Sequence, residues 1–252
     1  TPVVSSAASD VYKRQVLMQS SMRYQMKRKA LRIERFLGEM DEVVPWSSLV
    51  KTIKPYYKSS GGRPPHDLEL MLRIHFLQLW HNLSDPGMEE ALYDRLSFQK
   101  FLGFDCFGGV VPDESSICRF RHLLQTHGLS DKILLCVNDH LASHGLVLKE
   151  GTIVDATVIS APISKKNKSR ARDPEMSSTR KNNVFMFGAK GHIGVQANGR
   201  PIIHSCSFGT AKDHDINALE VLLHGDERAV FGDGAYNVND DKRQARAVGL
   251  YY

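Results

Sequence analysis

The sequence predicts an α+β protein in two parts, a helical N-terminal domain over 22–147 and a mixed β-sheet domain over 148–252. Two observations point there. From Met22 to Gly145 apolar residues recur at helical spacing between helix-capping residues, whereas after Gly145 short β-branched and aromatic runs alternate with turn residues. Two of these later runs, Gly151-Thr-Ile-Val-Asp155-Ala-Thr157 and Ala229-Val-Phe-Gly-Asp233-Gly-Ala-Tyr236, each place an aspartate at a strand's exit beside small residues, where a ligand can approach the backbone closely.

The helical elements follow in order. Pro64-Pro65 and Asp67 open a helix over Leu68–Leu83, apolar at Leu68, Met71, Leu72 and Leu79 and again at Ile74, Leu77 and Trp80, hence a buried helix. Ser84-Asp85-Pro86 supplies the cap and first-turn proline of the next, Gly87 to about Leu96, with Glu89 and Glu90 in its first turn. Asp113-Glu-Ser-Ser116 starts Ile117–His127, closed by Gly128, and Ser130-Asp131 starts Lys132–His144, closed by Gly145. The pair around Gly128 reads as either an ordinary helical hairpin or a DNA-reading helix-turn-helix. Trp46, Trp80 and the phenylalanines are expected in the core.

Strands are expected at Thr152–Ile159, Gly188–Ala197, Pro201–Ser207 and Arg228–Asp233, with a hairpin turn at Asn198-Gly199 and a helix over Ile216–His224 opened by Asp215. Three antiparallel strands, a helix and a further strand, with the first aspartate on strand one and the second on strand four, is the order of a ribonuclease-H-like nuclease core. The sequence thus predicts an incomplete sheet domain of that kind.

Charge narrows the chemistry. The net charge is only +5, but Lys165, Lys166, Lys168, Arg170, Arg172, Arg180 and Lys181 crowd one insert, over 162–183, against Asp173 and Glu175. A second run spans Arg23 to Arg35. Such clusters favour polyanions, and a cationic segment beside two strand-borne carboxylates reads as a metal-dependent site for handling nucleic acid. Asp155 and Asp233 stand 78 residues apart, so only the fold can join them. Lys190, His192, His214 and Asp215 are further candidates near that site, for phosphate contact or for ordering water. His140 and His144 have metal-ligand spacing on a helix, but no glutamate follows the first and no third ligand is evident, so zinc is not expected. The scattered Cys106, Cys118, Cys136 and Cys206 read as buried thiols. No stretch approaches the roughly 18 uncharged apolar residues of a membrane span, and no leader pattern opens the sequence, so a cytosolic protein without a membrane partner is expected.

The segments Arg63-Pro-Pro-His-Asp-Leu-Glu-Leu-Met-Leu-Arg-Ile-His-Phe76, Asn82-Leu-Ser-Asp-Pro86, Pro112-Asp-Glu-Ser-Ser116 with Arg119-Phe-Arg-His-Leu-Leu124, Val154-Asp-Ala-Thr157, Arg172-Asp-Pro-Glu-Met176 and Lys190-Gly-His-Ile-Gly194 together resemble bacterial insertion-sequence transposases of the group called IS-five, in the DDE class. The resemblance runs from Met22 to the end. It implies Asp155 and Asp233 as catalytic, metal-binding carboxylates for Mg²⁺ or Mn²⁺, the basic residues of the insert with Lys190 and His192 as DNA contacts, and a third acid, a glutamate, on a downstream helix. It also implies double-stranded DNA as partner, both the element's terminal inverted repeats and target DNA, with a homo-oligomer acting on it in the bacterial cytoplasm at the nucleoid. No glutamate follows Glu227. The expectation is therefore a C-terminally truncated, inactive or impaired fragment, with 1–21 an extraneous or disordered tail and a Ser/Ala-rich stretch to Gln15 resembling cloning sequence. Two alternatives stand: a phosphotransferase of the haloacid-dehalogenase type, because Gly232-Asp-Gly-Ala-Tyr-Asn237 resembles its late motif although Thr157 stands where that type has an acid, and a DNA-binding remnant without catalysis.

Overall fold

The computed structural model describes residues 29–57, 64–104, 110–147, 151–163, 172–181, 184–199, 201–225, 227–233 and 236. The chain divides into two compact units, Thr1–Val137 and Asn138–Tyr252.

The first unit is helical: α1 (Arg32–Val43), α2 (Trp46–Ile53), α3 (Leu68–His81), α4 (Asp85–Asp94), α5 (Leu96–Leu102), α6 (Glu114–Thr126) and the start of α7 (Leu129–Ser143), inside which the division falls. The cap residues act as their types dictate. Asp67 accepts the Leu70 N–H at 2.9 Å, Ser84 that of Gly87 at 3.2 Å and Asp113 that of Ser116 at 3.0 Å, each satisfying an orphan donor of a first turn. Leu68, Met71, Leu72, Ile74 and Leu77 of α3 are buried with Leu37, Trp46, Leu49, Met88, Phe98, Phe120 and Leu124 from the surrounding helices. Arg73 ties this core to its rim. Its guanidinium donates to Asp41 at 2.7 Å and Glu69 at 2.9 Å while lying 4.5 Å above the centre of the Trp46 ring.

Several boundaries differ from the sequence expectation. The helix expected to run to Leu83 stops at His81, because Asn82 turns left-handed at φ 48°. The one expected over Gly87–Leu96 is two helices, broken where Arg95 adopts an extended conformation. α7 begins at Leu129, directly after Gly128, so Ser130-Asp131 lies within its first turn and does not cap it. Leu79 points outward at 64% exposure, and Trp80 is only half-buried. Cys118, Cys136 and Cys206 are half-buried, not buried, and Cys106 lies outside the described residues.

The second unit holds a mixed sheet of β1 (Gly151–Ser160), β2 (Ser177–Lys181), β3 (Val184–Gln196), β4 (Ile203–Thr210) and β5 (Ala229–Phe231). β1 pairs antiparallel with β3 on one side and parallel with β5 on the other. β3 pairs antiparallel with both β2 and β4. Because β1 and β2 meet at Gly188, and β1 and β4 both face 189–195, β2 and β4 lie end to end along the far edge of β3. The expected helix over Ile216–His224 is a 3₁₀ turn, Asp215–Ala218, running into a single α-turn, α8 (Leu219–Leu222). Val154 and Val230 of the sheet bury themselves against Ala218, Leu219, Leu222 and Tyr236. The opposite face of β1 carries Ile153, Asp155, Thr157 and Ile159, all exposed. Phe185, Phe208 and Phe231 are exposed too, against the expectation that the phenylalanines form core.

The architecture is therefore α+β, with the three-strand meander, helix and parallel fourth strand in the expected order. β2 was not expected. It shows that the end of the basic insert is a paired strand.

One consequence of the helical core concerns acid. His75 Nδ1 is buried without a hydrogen-bond partner among the described residues, and burial, with Arg121 close by, lowers the imidazole pKa to about 4. The fold holds it neutral, so the stability it contributes is fully present above the ordinary value near 6.5 and is lost as pH falls from there towards 4. Urea unfolding of the wild type should lose on the order of 3 kcal/mol more across that window than His75→Leu does.

Candidate active site

The site is built where β5 ends beside the middle of β1: β5 stops at Phe231, but β1 stays paired with β3 through Ser160, so Asp155 lies mid-strand and not at the strand exit the sequence predicts. Their parallel pairing matches Gly151 to Ala229, Thr152 to Val230 and Ile153 to Phe231. Asp155 and Asp233 each lie two residues beyond the last of these pairs, so residues 78 apart in sequence come to the same level of adjacent strands. Close packing supports this. A Cβ on Gly232 would stand 2.9 Å from Val154 Cγ2 and 3.2 Å from Tyr236 Cδ2, so only glycine lets β5 approach β1 immediately before the two carboxylates. Both aspartates are exposed. Asp155 Oδ1 accepts the N–H of Ala156 at 2.8 Å, and the Asp233 carbonyl accepts the Tyr236 N–H at 3.1 Å.

Beneath lies a second polar group. Tyr236 is 2% exposed, and its hydroxyl lies 3.3 Å from His192 Nδ1 on β3. Burial, then the charges of Asp215, Asp155 and Asp233, push the phenol well above its usual range. It stays a neutral hydroxyl. Burial lowers the pKa of His192, with Asp215 at 3.8 Å opposing the shift. Lys190 Nζ donates to the Asp215 carboxylate at 2.9 Å and to the Asp213 carbonyl at 2.7 Å. Lys190 and His192 of β3 thus meet Asp215 of the 3₁₀ turn. His192 is 2% exposed, however, and burial takes it away from direct contact with a phosphate; Lys190 is engaged by Asp215. His214 is exposed.

Of the basic insert, Arg172 and Arg180 are exposed, their guanidinium carbons 5.2 Å from the centres of the Phe187 and Phe185 rings respectively. Lys181 ends β2 opposite Val184. Lys165, Lys166, Lys168 and Arg170 lie outside the described residues. His140 and His144 stack with ring centres 4.4 Å apart. Among the described residues no three His, Cys, Asp or Glu side chains gather as a metal site. Two exposed, neighbouring carboxylates still offer the hard oxygen donors that Mg²⁺ or Mn²⁺ takes, and they fit as part of a ligand set completed from elsewhere.

Residues 25–123 match the family model described as a transposase domain (DUF772), and residues 148–252 match the one described as a transposase DDE domain. The chain carries the two domains of a DDE transposase. No solved structure matches it. The match to a DDE domain favours the transposase over the phosphotransferase alternative. No helix among the described residues is long and apolar enough to cross a membrane.

Sequence reasoning missed Tyr236 and Glu227. Glu227 is buried at 7% and spends its carboxylate on backbone N–H groups and Thr152, which leaves it no place as a third metal ligand beside the aspartates. The signal was faint: an acid in an otherwise ordinary turn.

The Gly232 contact is open to test. Gly232→Ala should destabilise the DDE domain by about 1–3 kcal/mol in chemical denaturation, and Val154→Ala in the same chain should recover part of that loss, a non-additivity that only direct contact produces.

Proposed function

We propose that the chain is a DNA transposase of the insertion-sequence type whose second domain cuts and transfers strands with divalent metal ions held by Asp155 and Asp233. The observation that carries the reading is the placement of both carboxylates two residues past the paired Ile153 and Phe231. Mg²⁺ or Mn²⁺, when bound, supplies charge neutralisation and activation for an in-line displacement at phosphorus. The chain's own groups do the rest. Asp155 and Asp233 present carboxylate oxygens on an open face that a duplex can reach. Arg172 and Arg180, with Lys165, Lys166, Lys168, Arg170 and Lys181, hold the phosphate backbone beside it. Tyr236 and His192 support the floor beneath the aspartates.

The domain over 22–147 serves DNA binding or assembly, and the protein acts as a homo-oligomer on paired element ends and target DNA in the bacterial cytoplasm. The third acid is a glutamate that none of the residues after Glu227 supplies, so this span alone binds DNA and turns over poorly or not at all.

Nicking of supercoiled plasmid tests the reading. Only a protein continued through a glutamate-bearing helix should nick with Mg²⁺ or Mn²⁺, and Asp155→Ala and Asp233→Ala should each abolish it. A continued protein that never nicks yet cleaves phosphomonoesters would overturn the reading. DNA affinity of the 252-residue chain should fall steeply with salt, and Arg172→Ala and Arg180→Ala should each reduce the log–log slope by about 1.

A further inference from the structure

β5 contributes only three residue pairs to β1. So short a parallel pairing does little to fix its own register, yet a slip of one residue would move Asp233 off the level of Asp155 and turn its side chain to the other face. Something else must hold it.

That something is visible at the entrance to β5. The Glu227 side chain is 2% exposed. Its Oε1 accepts the His224 N–H at 2.7 Å and its Oε2 the Gly225 N–H at 2.8 Å, clamping the turn that leads out of α8. Oε1 also accepts the Thr152 hydroxyl at 3.2 Å, and Thr152 is wholly buried on β1, opposite Val230. The Thr152 oxygen lies 3.2 Å from His204 Nε2 on β4. Since the hydroxyl has a single proton and gives it to Glu227, Nε2 is the donor in this pair, and burial, with His224 beside it, lowers the His204 pKa. His224 Nδ1 stands 3.4 Å from Oε1, and its ring meets that of His204 edge-on at 5.0 Å. Burial alone would raise the Glu227 pKa; the backbone N–H of His224 and its neighbours outweigh it and leave the carboxyl below its usual range. A buried carboxylate costs several kcal/mol unless its oxygens are satisfied, and removing its partners exposes that cost. Here every bond it makes reaches the α8–β5 turn or β1.

We infer that Glu227 is a positioning residue: gripping the His224 and Gly225 backbone with one hand and Thr152 with the other, its buried carboxylate locks β5 onto β1 in the register that sets Asp233 beside Asp155. The inference rests on the metal-binding reading of that pair, and the test separates the two. It predicts that loss of the grip is felt at the aspartates, three residues beyond Thr152 and six beyond Glu227, while the β1–β3 pairing stays intact.

The experiment compares the full chain with Glu227→Gln, Thr152→Val and Thr152→Ser, reading amide hydrogen exchange along β1, β3 and β5 together with Mn²⁺ affinity by electron paramagnetic resonance. Glu227→Gln should speed exchange at Ala229–Phe231 and weaken Mn²⁺ about tenfold or more, in line with other groups that orient metal ligands, with exchange at Ile193 and Val195 unchanged. Thr152→Val should do the same to a lesser degree and Thr152→Ser should restore both readouts. If Glu227→Gln does not fold, the Thr152 pair carries the test. Unchanged exchange at β5, or faster exchange with Mn²⁺ affinity intact, overturns the inference. If the wild type takes up no Mn²⁺ at all, the metal reading fails, and exchange at β5 alone decides whether Glu227 locks the register.

Discussion

The parallel pairing of β5 with β1 is the constraint on which the second unit turns. β1 is held along nearly its whole length by β3, so its position is secure. β5 is not. Three residue pairs, a glycine pressed on Val154, the packing of Val230 and Tyr236 against α8 and, by the inference above, the Glu227 carboxylate keep it in place. Those contacts do what no local sequence could, since they bring together two carboxylates separated by a hairpin, a meander and a helix. Loosen them and Asp155 is merely a polar residue on the open face of β1, and Asp233 one just past the end of β5.

The site is layered in its electrostatics. On the open face stand the exposed carboxylates of Asp155 and Asp233. Below the strands the polar groups satisfy one another: Lys190 with Asp215, His192 with Tyr236, Glu227 with the turn before β5. Neutral His192 and Tyr236 add no charge to the floor, and Lys190 brings its positive charge already matched by Asp215. The basic hairpin edge, with Arg172 and Arg180 lying over Phe187 and Phe185, keeps cationic groups extended on the same sheet.

How much of this the sequence disclosed follows from how local each cause is. The helix starts at Asp67, Ser84 and Asp113 were legible because a cap is a bond between residues three apart. The aspartate-bearing strands were legible because their apolar runs are short, β-branched and abruptly ended. The break at Arg95 was not, since nothing in that residue forbids helix, yet it is extended between α4 and α5. β2 was hidden because Ser, Thr, Arg and Lys become a strand there through pairing with β3, not through any apolar pattern of their own. Glu227 was hidden for the same reason at longer range: its partner Thr152 lies 75 residues away. The family matches support the transposase class; roles for individual residues come from the geometry.

The central claim is that Asp155 and Asp233 form one site. A double-mutant cycle on Mn²⁺ affinity, comparing wild type with Asp155→Asn, Asp233→Asn and the pair, tests it most directly. If the two carboxylates share an ion, either single change removes most of the binding and the double change costs little more. Losses that simply add, or an affinity indifferent to either substitution, would contradict the account.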